Sequence, residues 1–80
     1  MTKKELKEIL SNARKEKHLT HDQVANKTNK GITRQYYGMI ENGDRTPSVD
    51  VAKSIAEVLD IDWTIFFELK SNQKLQKQAI

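Results

Sequence analysis

The sequence predicts an all-α domain of five short helices followed by a short basic tail, and three observations lead there. Thr2, Thr20, Thr33 and Ser48 each stand just before a run whose apolar residues recur three and four apart. Two of these residues open complete capping boxes, Thr2-x-x-Glu5 and Thr20-x-x-Gln23, in which cap and third residue satisfy each other's free backbone N–H. No stretch alternates apolar and polar residues as a half-buried strand does, and no internal repeat is visible.

The first helix is expected from about residue 3 to 17, with Leu6, Ile9, Leu10 and Ala13 at helical spacing. The second follows the Thr20 cap to about Thr28 and buries Val24 and Ala25. Asn29-Lys30-Gly31 breaks the chain there, because Asn and Gly tolerate the left-handed conformation that ends helices. Thr33 caps a third helix that runs to about Glu41, with Tyr37 and Ile40 inward, and Asn42-Gly43 stops it. Pro47-Ser48 starts the fourth; Asp50 sits favourably in its first turn, and Val51, Ala52, Ile55, Ala56 and Leu59 face the core. Asp60-Ile61-Asp62 is a joint, and Asp62 caps a fifth helix from Trp63 to about Leu69. The domain is therefore placed at 1–69, and residues 70–80 are read as a tail, partly helical with a disordered end.

Eighty residues allow one domain with a small core, and a chain this short buries only about 60–65% of its unfolded surface. With no cysteine there is neither a disulfide nor a thiolate metal site, which fits a reducing, cytoplasmic setting. The longest uncharged apolar run, Trp63-Thr-Ile-Phe-Phe67, is too short to span a bilayer, and the N-terminus lacks the apolar core of an export signal. The net charge of +3 is unevenly spread: residues 1–45 carry +4, 46–69 carry −4 and 70–80 carry +3. A basic half and an acidic half describe an oriented surface with its basic side toward phosphate, although scattered charge also serves solubility alone.

Two short helices joined by a tight polar turn, the second exposing long polar side chains near its start, are the parts of a helix-turn-helix DNA reader. On the third helix, a major-groove reader shows base edges the residues of its N-terminal end and those one turn later, here Arg34, Gln35, Gly38 and Met39. Arginine forks onto the two acceptors of guanine, glutamine pairs with adenine, and Met39 would touch a thymine methyl or a sugar. Gly38 costs roughly 1 kcal/mol inside a helix relative to alanine, which close approach of backbone to DNA would offset. Phosphate contacts are expected from Thr20 and His21 at the start of the second helix, from Lys30 in the turn, and from Thr33 and the Tyr36 hydroxyl. Thr20 also has a local task as a cap. Tyr37, spaced with Ile40, reads as core rather than as a stacking platform. His18 and His21 straddle the start of the second helix without a further ligand nearby, so neither a metal nor any other cofactor is expected.

The segments Leu19-Thr20-x-x-x-Val24-Ala25, Ile32-Thr33-Arg34-x-Tyr36-x-x-x-Ile40-Glu41-Asn42-Gly43-x-Arg45-x-Pro47-Ser48 and Ile55-Ala56-x-x-Leu59 resemble the phage-repressor (Cro- and Xre-like) helix-turn-helix family over about residues 6–67. The Ile-Glu-Asn-Gly-x-Arg-x-Pro-Ser stretch is the most specific part, and Asp62–Phe67 is similar to that family's last helix. The resemblance implies a compact five-helix, lambda-repressor-like DNA-binding domain. It implies further that Asn42, Arg45 and Thr46 grip the DNA backbone, and that His21 stands where a phosphate-clamping glutamine is common. It also implies a partly buried structural ion pair between Arg14 and Glu41, tying the first helix to the third. The chain departs from the pattern in the turn, where Lys30-Gly31 look like two added residues.

The leading expectation is thus a sequence-specific transcriptional regulator, a repressor of a phage, prophage or mobile-element operon. It would bind a palindromic double-stranded operator as a homodimer, with half-sites about one helical turn, roughly 34 Å, apart. A restriction–modification controller fits the same residues, as does an antitoxin or protein-interaction module of the same fold, for which Arg34 and Gln35 would be dispensable. No Ser-His-Asp set, phosphate loop or paired-carboxylate motif points to an enzyme. Inactivation is expected from outside, for instance by an antirepressor protein. Dimerisation is assigned to Trp63, Ile65, Phe66, Phe67 and Leu69, with Leu75 and Ile80 beyond; the other reading has the tail touch DNA through Lys70, Lys74 and Lys77.

Overall fold

A computed structural model describes residues 1–68. Four α-helices follow one another: α1 (Lys3–Glu16), α2 (His21–Lys27), α3 (Arg34–Glu41) and α4 (Val49–Leu59). Each begins where a hydroxyl closes its first turn. Thr2 and Thr20 accept from the N–H of Glu5 and Gln23, both at 3.1 Å, in reciprocal capping boxes. Thr33 accepts from Tyr36 at 3.0 Å and Ser48 from Val51 at 3.2 Å.

The helices stop for equally local reasons. After α3, Gly43 takes φ +80°, its N–H bonds the Ile40 carbonyl at 3.0 Å, and the Asp44 N–H bonds the Met39 carbonyl at 2.8 Å. This is a Schellman closure, and a Cβ on Gly43 would lie 2.9 Å from Lys3 Cγ. After α1 the same closure uses His18 at φ +58°, with Leu19 N–H on the Arg14 carbonyl. His18 is thereby a helix stop. The lengthened turn between α2 and α3 contains two left-handed residues, Asn29 and Gly31. Buried Thr28 fastens it by donating to the Ala25 carbonyl at 2.7 Å and accepting from the Lys30 N–H at 3.3 Å.

Of the five short helices expected, the fifth, from Trp63 to about Leu69, is not an α-helix. Trp63–Phe67 is a 3₁₀ helix, with Ile65 N–H on the Asp62 carbonyl and Glu68 N–H on the Ile65 carbonyl. Its β-branched and aromatic residues lose side-chain freedom in an α-helix, and a single short turn suffices to lower Phe66 into the core. Leu69 and the basic tail, with the expectations placed on Lys70, Lys74, Leu75, Lys77 and Ile80, lie outside the described residues.

One core holds these elements together: Leu6 and Leu10 from α1, Val24 and Ala25 from α2, Tyr37 and Ile40 from α3, Ala52, Ile55 and Leu59 from α4, and Phe66. α2 packs on α3 and α4, α1 packs on both α3 and α4, and the 3₁₀ helix closes over α4. Ile9, expected on the inner stripe of α1, instead stays exposed, because Leu6 and Leu10 fill the contact. At about 25 cal/mol per Å² of buried apolar surface, side chains of this size each contribute on the order of 2 kcal/mol, which suits a small domain without disulfides.

Candidate nucleic-acid interface

α3 is fixed from inside and open outside. Tyr37, Ile40 and Glu41 are buried, whereas Arg34, Gln35 and Met39 are exposed on the opposite face. That face forms one wall of a shallow open depression lined by His21, Arg34, Gln35, Gly38, Met39 and Asn42. The four residues expected to read bases are thus neighbours, joined by one residue from the start of α2 and one from the end of α3. Gly38 meets nothing tight: the nearest atom to a Cβ built there is His21 Nδ1, at 3.9 Å.

Glu41 is the anchor beneath this face. Arg14 donates to it through both edges of its fork, Nε to Oε2 at 3.0 Å and Nη2 to Oε1 at 3.1 Å, and its Nη1 reaches the Leu19 carbonyl at 3.1 Å. The side chains are only 14% and 4% exposed, so the pair ties α1 to α3 out of water. Burial works to raise the Glu41 pKa, but the hydrogen bonds and charge of Arg14, aided by Tyr37, outweigh it and hold the carboxyl below its usual range. The Tyr37 hydroxyl is buried without a well-formed hydrogen bond, yet lies near enough to Glu41 to feel its charge. Burial first, and the carboxylate second, keep its proton firmly in place.

His21 belongs to the same cluster, a link that sequence spacing does not reveal. Its Nε2 lies 3.4 Å from Glu41 Oε2, and its ring stands 5.6 Å from that of Tyr37. Glu41 is twenty residues further along the chain, so only the packing of α2 on α3 brings them together.

The remaining candidates for backbone contact have local engagements as well. Thr20 and Thr33 serve as caps, although each hydroxyl keeps a proton to donate. Lys30 pairs with Asp50 at 3.0 Å, so its charge is partly spent inside the domain. Arg45 stacks its guanidinium 5.5 Å from the centre of the half-buried Tyr36 ring. That contact holds Arg45 beside α3 while leaving its N–H groups available. Thr46 is exposed next to it, and Asn42 caps α3 at the edge of the depression.

The expected dimer contact is corrected in part. Phe66 is 1% exposed and belongs to the core, so it has no surface to offer a partner. Trp63, Ile65 and Phe67 remain half-buried; Trp63 lies edge-on to Phe67 at 6.0 Å and under Lys53 Nζ at 5.1 Å. Among the described residues, no helix is long and apolar enough to cross a membrane, and no group of three or more His, Cys, Asp or Glu is placed to hold a metal ion.

Residues 10–66, which span α2, the turn and α3, match the family described as helix-turn-helix. The chain is similar to an uncharacterised HTH-type transcriptional regulator, YqaF, of Bacillus subtilis (strain 168), with 48% identity over 68 residues, covering 85% of this chain and 87% of that protein. A second regulator of the same description and organism, YqaE, is 35% identical over 68 residues; the match covers 85% of this chain but 57% of YqaE. No solved structure matches the chain.

Proposed function

This chain belongs to the helix-turn-helix family, and from that membership and the outward face of α3 we propose that it is a sequence-specific, double-stranded DNA-binding transcriptional regulator. The observation that carries the reading is the depression in which Arg34, Gln35, Gly38 and Met39 lie together on a helix locked from behind by Arg14 and Glu41. A base-reading helix needs both properties: side chains that match base edges, and a support rigid enough to hold them in register.

Arg34 and Gln35 read base edges from the N-terminal end of α3, Met39 lies against a thymine methyl or a sugar, and Gly38 lets the backbone approach. His21 and Asn42, which line that depression, contact phosphates together with Thr20, Thr33, Tyr36, Arg45 and Thr46; Lys30 contributes only where DNA competes with Asp50. One helix of eight residues reaches few base pairs, so specificity calls for a second copy and a palindromic operator with half-sites about 34 Å apart. The surface proposed for that contact is Trp63, Ile65 and Phe67, with Leu69 beyond the described residues. Repression of a phage, prophage or mobile-element operon in the cytoplasm is the biological role we assign.

Selection of bound duplexes from a random pool tests this reading. Enrichment of a symmetric motif with the stated spacing is the expected result. Recovery of unenriched sequence would leave a protein-interaction module as the better description.

A further inference from the structure

We propose that His21 is a proton-gated DNA contact: its imidazolium form alone offers DNA a hydrogen-bond donor, so DNA affinity rises as pH falls through the range in which the ring takes up a proton. The inference rests on the DNA-binding reading above and adds a control on the same surface.

The argument begins with the two ring nitrogens. Nε2 lies 3.4 Å from Glu41 Oε2. Arg14 grips both oxygens of that carboxylate, which stays ionised and can only accept. The nitrogen facing it therefore carries the proton in the neutral ring, and Nδ1 is left as a bare acceptor. Nδ1 is the nitrogen nearest Gly38, at 3.9 Å from where a Cβ would stand, and His21 lines the open depression beside Arg34 and Gln35. In its neutral form His21 turns a lone pair toward DNA, whose phosphates and guanine edges present lone pairs of their own. With a second proton taken from solvent, Nδ1–H becomes a charged donor on the same spot.

Charged and titratable groups face the ring from every element packed on it. From α3 come the Glu41 carboxylate, the Tyr37 hydroxyl, which keeps its proton, and Arg34 in the shared depression. From α1 comes Arg14, already matched to Glu41. Asp22 follows His21 on α2 itself. From α4, Asp50 is engaged with Lys30 and Lys53 with Trp63, and none of its carboxylates lies within ion-pair distance of the ring. Bound DNA adds dense negative charge to the open side, so the complex holds the second proton more tightly than the free protein does. By linkage, affinity is highest at acid pH and falls as pH rises through the interval between the free and bound titrations.

The test is the dissociation constant of the whole chain for its selected duplex and for a random duplex, at fixed ionic strength across neutral pH. Histidine ordinarily changes charge between about pH 5 and 8, so binding is expected to be roughly tenfold tighter near pH 6 than near pH 8, with a net uptake of about half a proton averaged over that interval. His21→Gln, which carries a donor at every pH, should bind with a flat profile, whereas His18→Asn, which suits the left-handed helix stop, should keep the slope. A slope on both duplexes identifies a phosphate oxygen as the acceptor, and a slope on the selected duplex alone identifies a base edge. Imidazole ¹⁵N shifts of the free protein at high pH should show the remaining proton on Nε2. A flat wild-type profile, a slope that survives in His21→Gln, or a proton found on Nδ1 overturns the inference while leaving DNA binding intact. Failure to bind any duplex at any pH overturns the functional reading together with it.

Discussion

The two faces of α3 sit one side chain apart and obey different rules. On the inner face Tyr37, Ile40 and Glu41 are at most 3% exposed, and each is answered by something specific: core apolar groups, or the fork of Arg14. On the outer face Arg34 and Gln35 are exposed and show no hydrogen bond or ion pair of their own among the described residues, and the helix there includes a glycine. Packing and the Arg14 pair account for the inner face apart from the unbonded Tyr37 hydroxyl, and neither calls for the side chains of the outer face. A helix that gives up about 1 kcal/mol at Gly38 and leaves Met39 in water has an outer surface shaped by something other than its own stability.

The strongest way to break this division is Arg14→Ala, whose largest effect should be on stability. It leaves a nearly buried carboxylate uncompensated, and loss of one partner of such a pair costs about 3–5 kcal/mol. The pH dependence has a definite sign. In the native protein Glu41 titrates below its ordinary value of about 4.5, so its stabilising share is present above that value and lost as pH falls through the lower, folded-state titration. Without Arg14, burial dominates and favours the protonated acid, so the deficit should shrink at acid pH. Urea denaturation without DNA, at neutral and acid pH, measures both effects. An unchanged midpoint at neutral pH would remove Glu41 as the anchor.

Arg34→Ala should do the reverse, leaving the urea midpoint within about 0.5 kcal/mol, as exposed substitutions do. On the selected duplex it should cost about 1–3 kcal/mol and relax preference at one base pair. Equal losses on selected and random duplexes, measured by titration, would show that Arg34 grips backbone rather than bases.

This division also governs how much the sequence discloses. Helix starts are legible because a cap and its third residue are chemically complementary and adjacent, and Thr2, Thr20, Thr33 and Ser48 all behave as their neighbours require. Tyr37 and Ile40 are legible from period alone. Trp63–Phe67 is not, since apolar residues of this kind suit a 3₁₀ turn as well as an α-helix, and the burial of Phe66 depends on where α4 lies. The partners of Arg45, Lys30 and His21 are not legible either. Each contact depends on where two elements meet, at distances of several ångströms that sequence spacing does not encode.

Arg45 lies between the two faces, because its guanidinium stacks on Tyr36 while its N–H groups stay outside. Arg45→Ala should therefore register on both scales. Loss of a partly exposed cation–π contact costs about 0.5–1 kcal/mol of stability. Loss of one phosphate contact should weaken all duplexes alike and make the salt slope shallower by about one unit. Paired measurements of urea midpoint and salt-dependent affinity check this. Sequence-dependent losses would move Arg45 into the base-reading set.

The smallest expected effect is the sharpest discriminator, because its two halves have opposite signs. Gly38 lies in the interior of α3 with ordinary helical geometry and no crowding atom closer than 3.9 Å to a built Cβ. Nothing in the free protein requires glycine there, so Gly38→Ala should raise stability by about 0.5–1 kcal/mol through lower unfolded-state entropy and better helix propensity. On the proposed DNA surface the added methyl enters the depression, 3.9 Å from His21 Nδ1. Affinity should therefore fall while the midpoint rises. A variant that gains stability and binds DNA unimpaired would show that α3 does not approach DNA through Gly38, and would shift the contact surface toward the N-terminal end of the helix, onto Arg34 and Gln35. A variant that loses stability would show that the glycine serves the fold, and the separation of the two faces would fail at this residue.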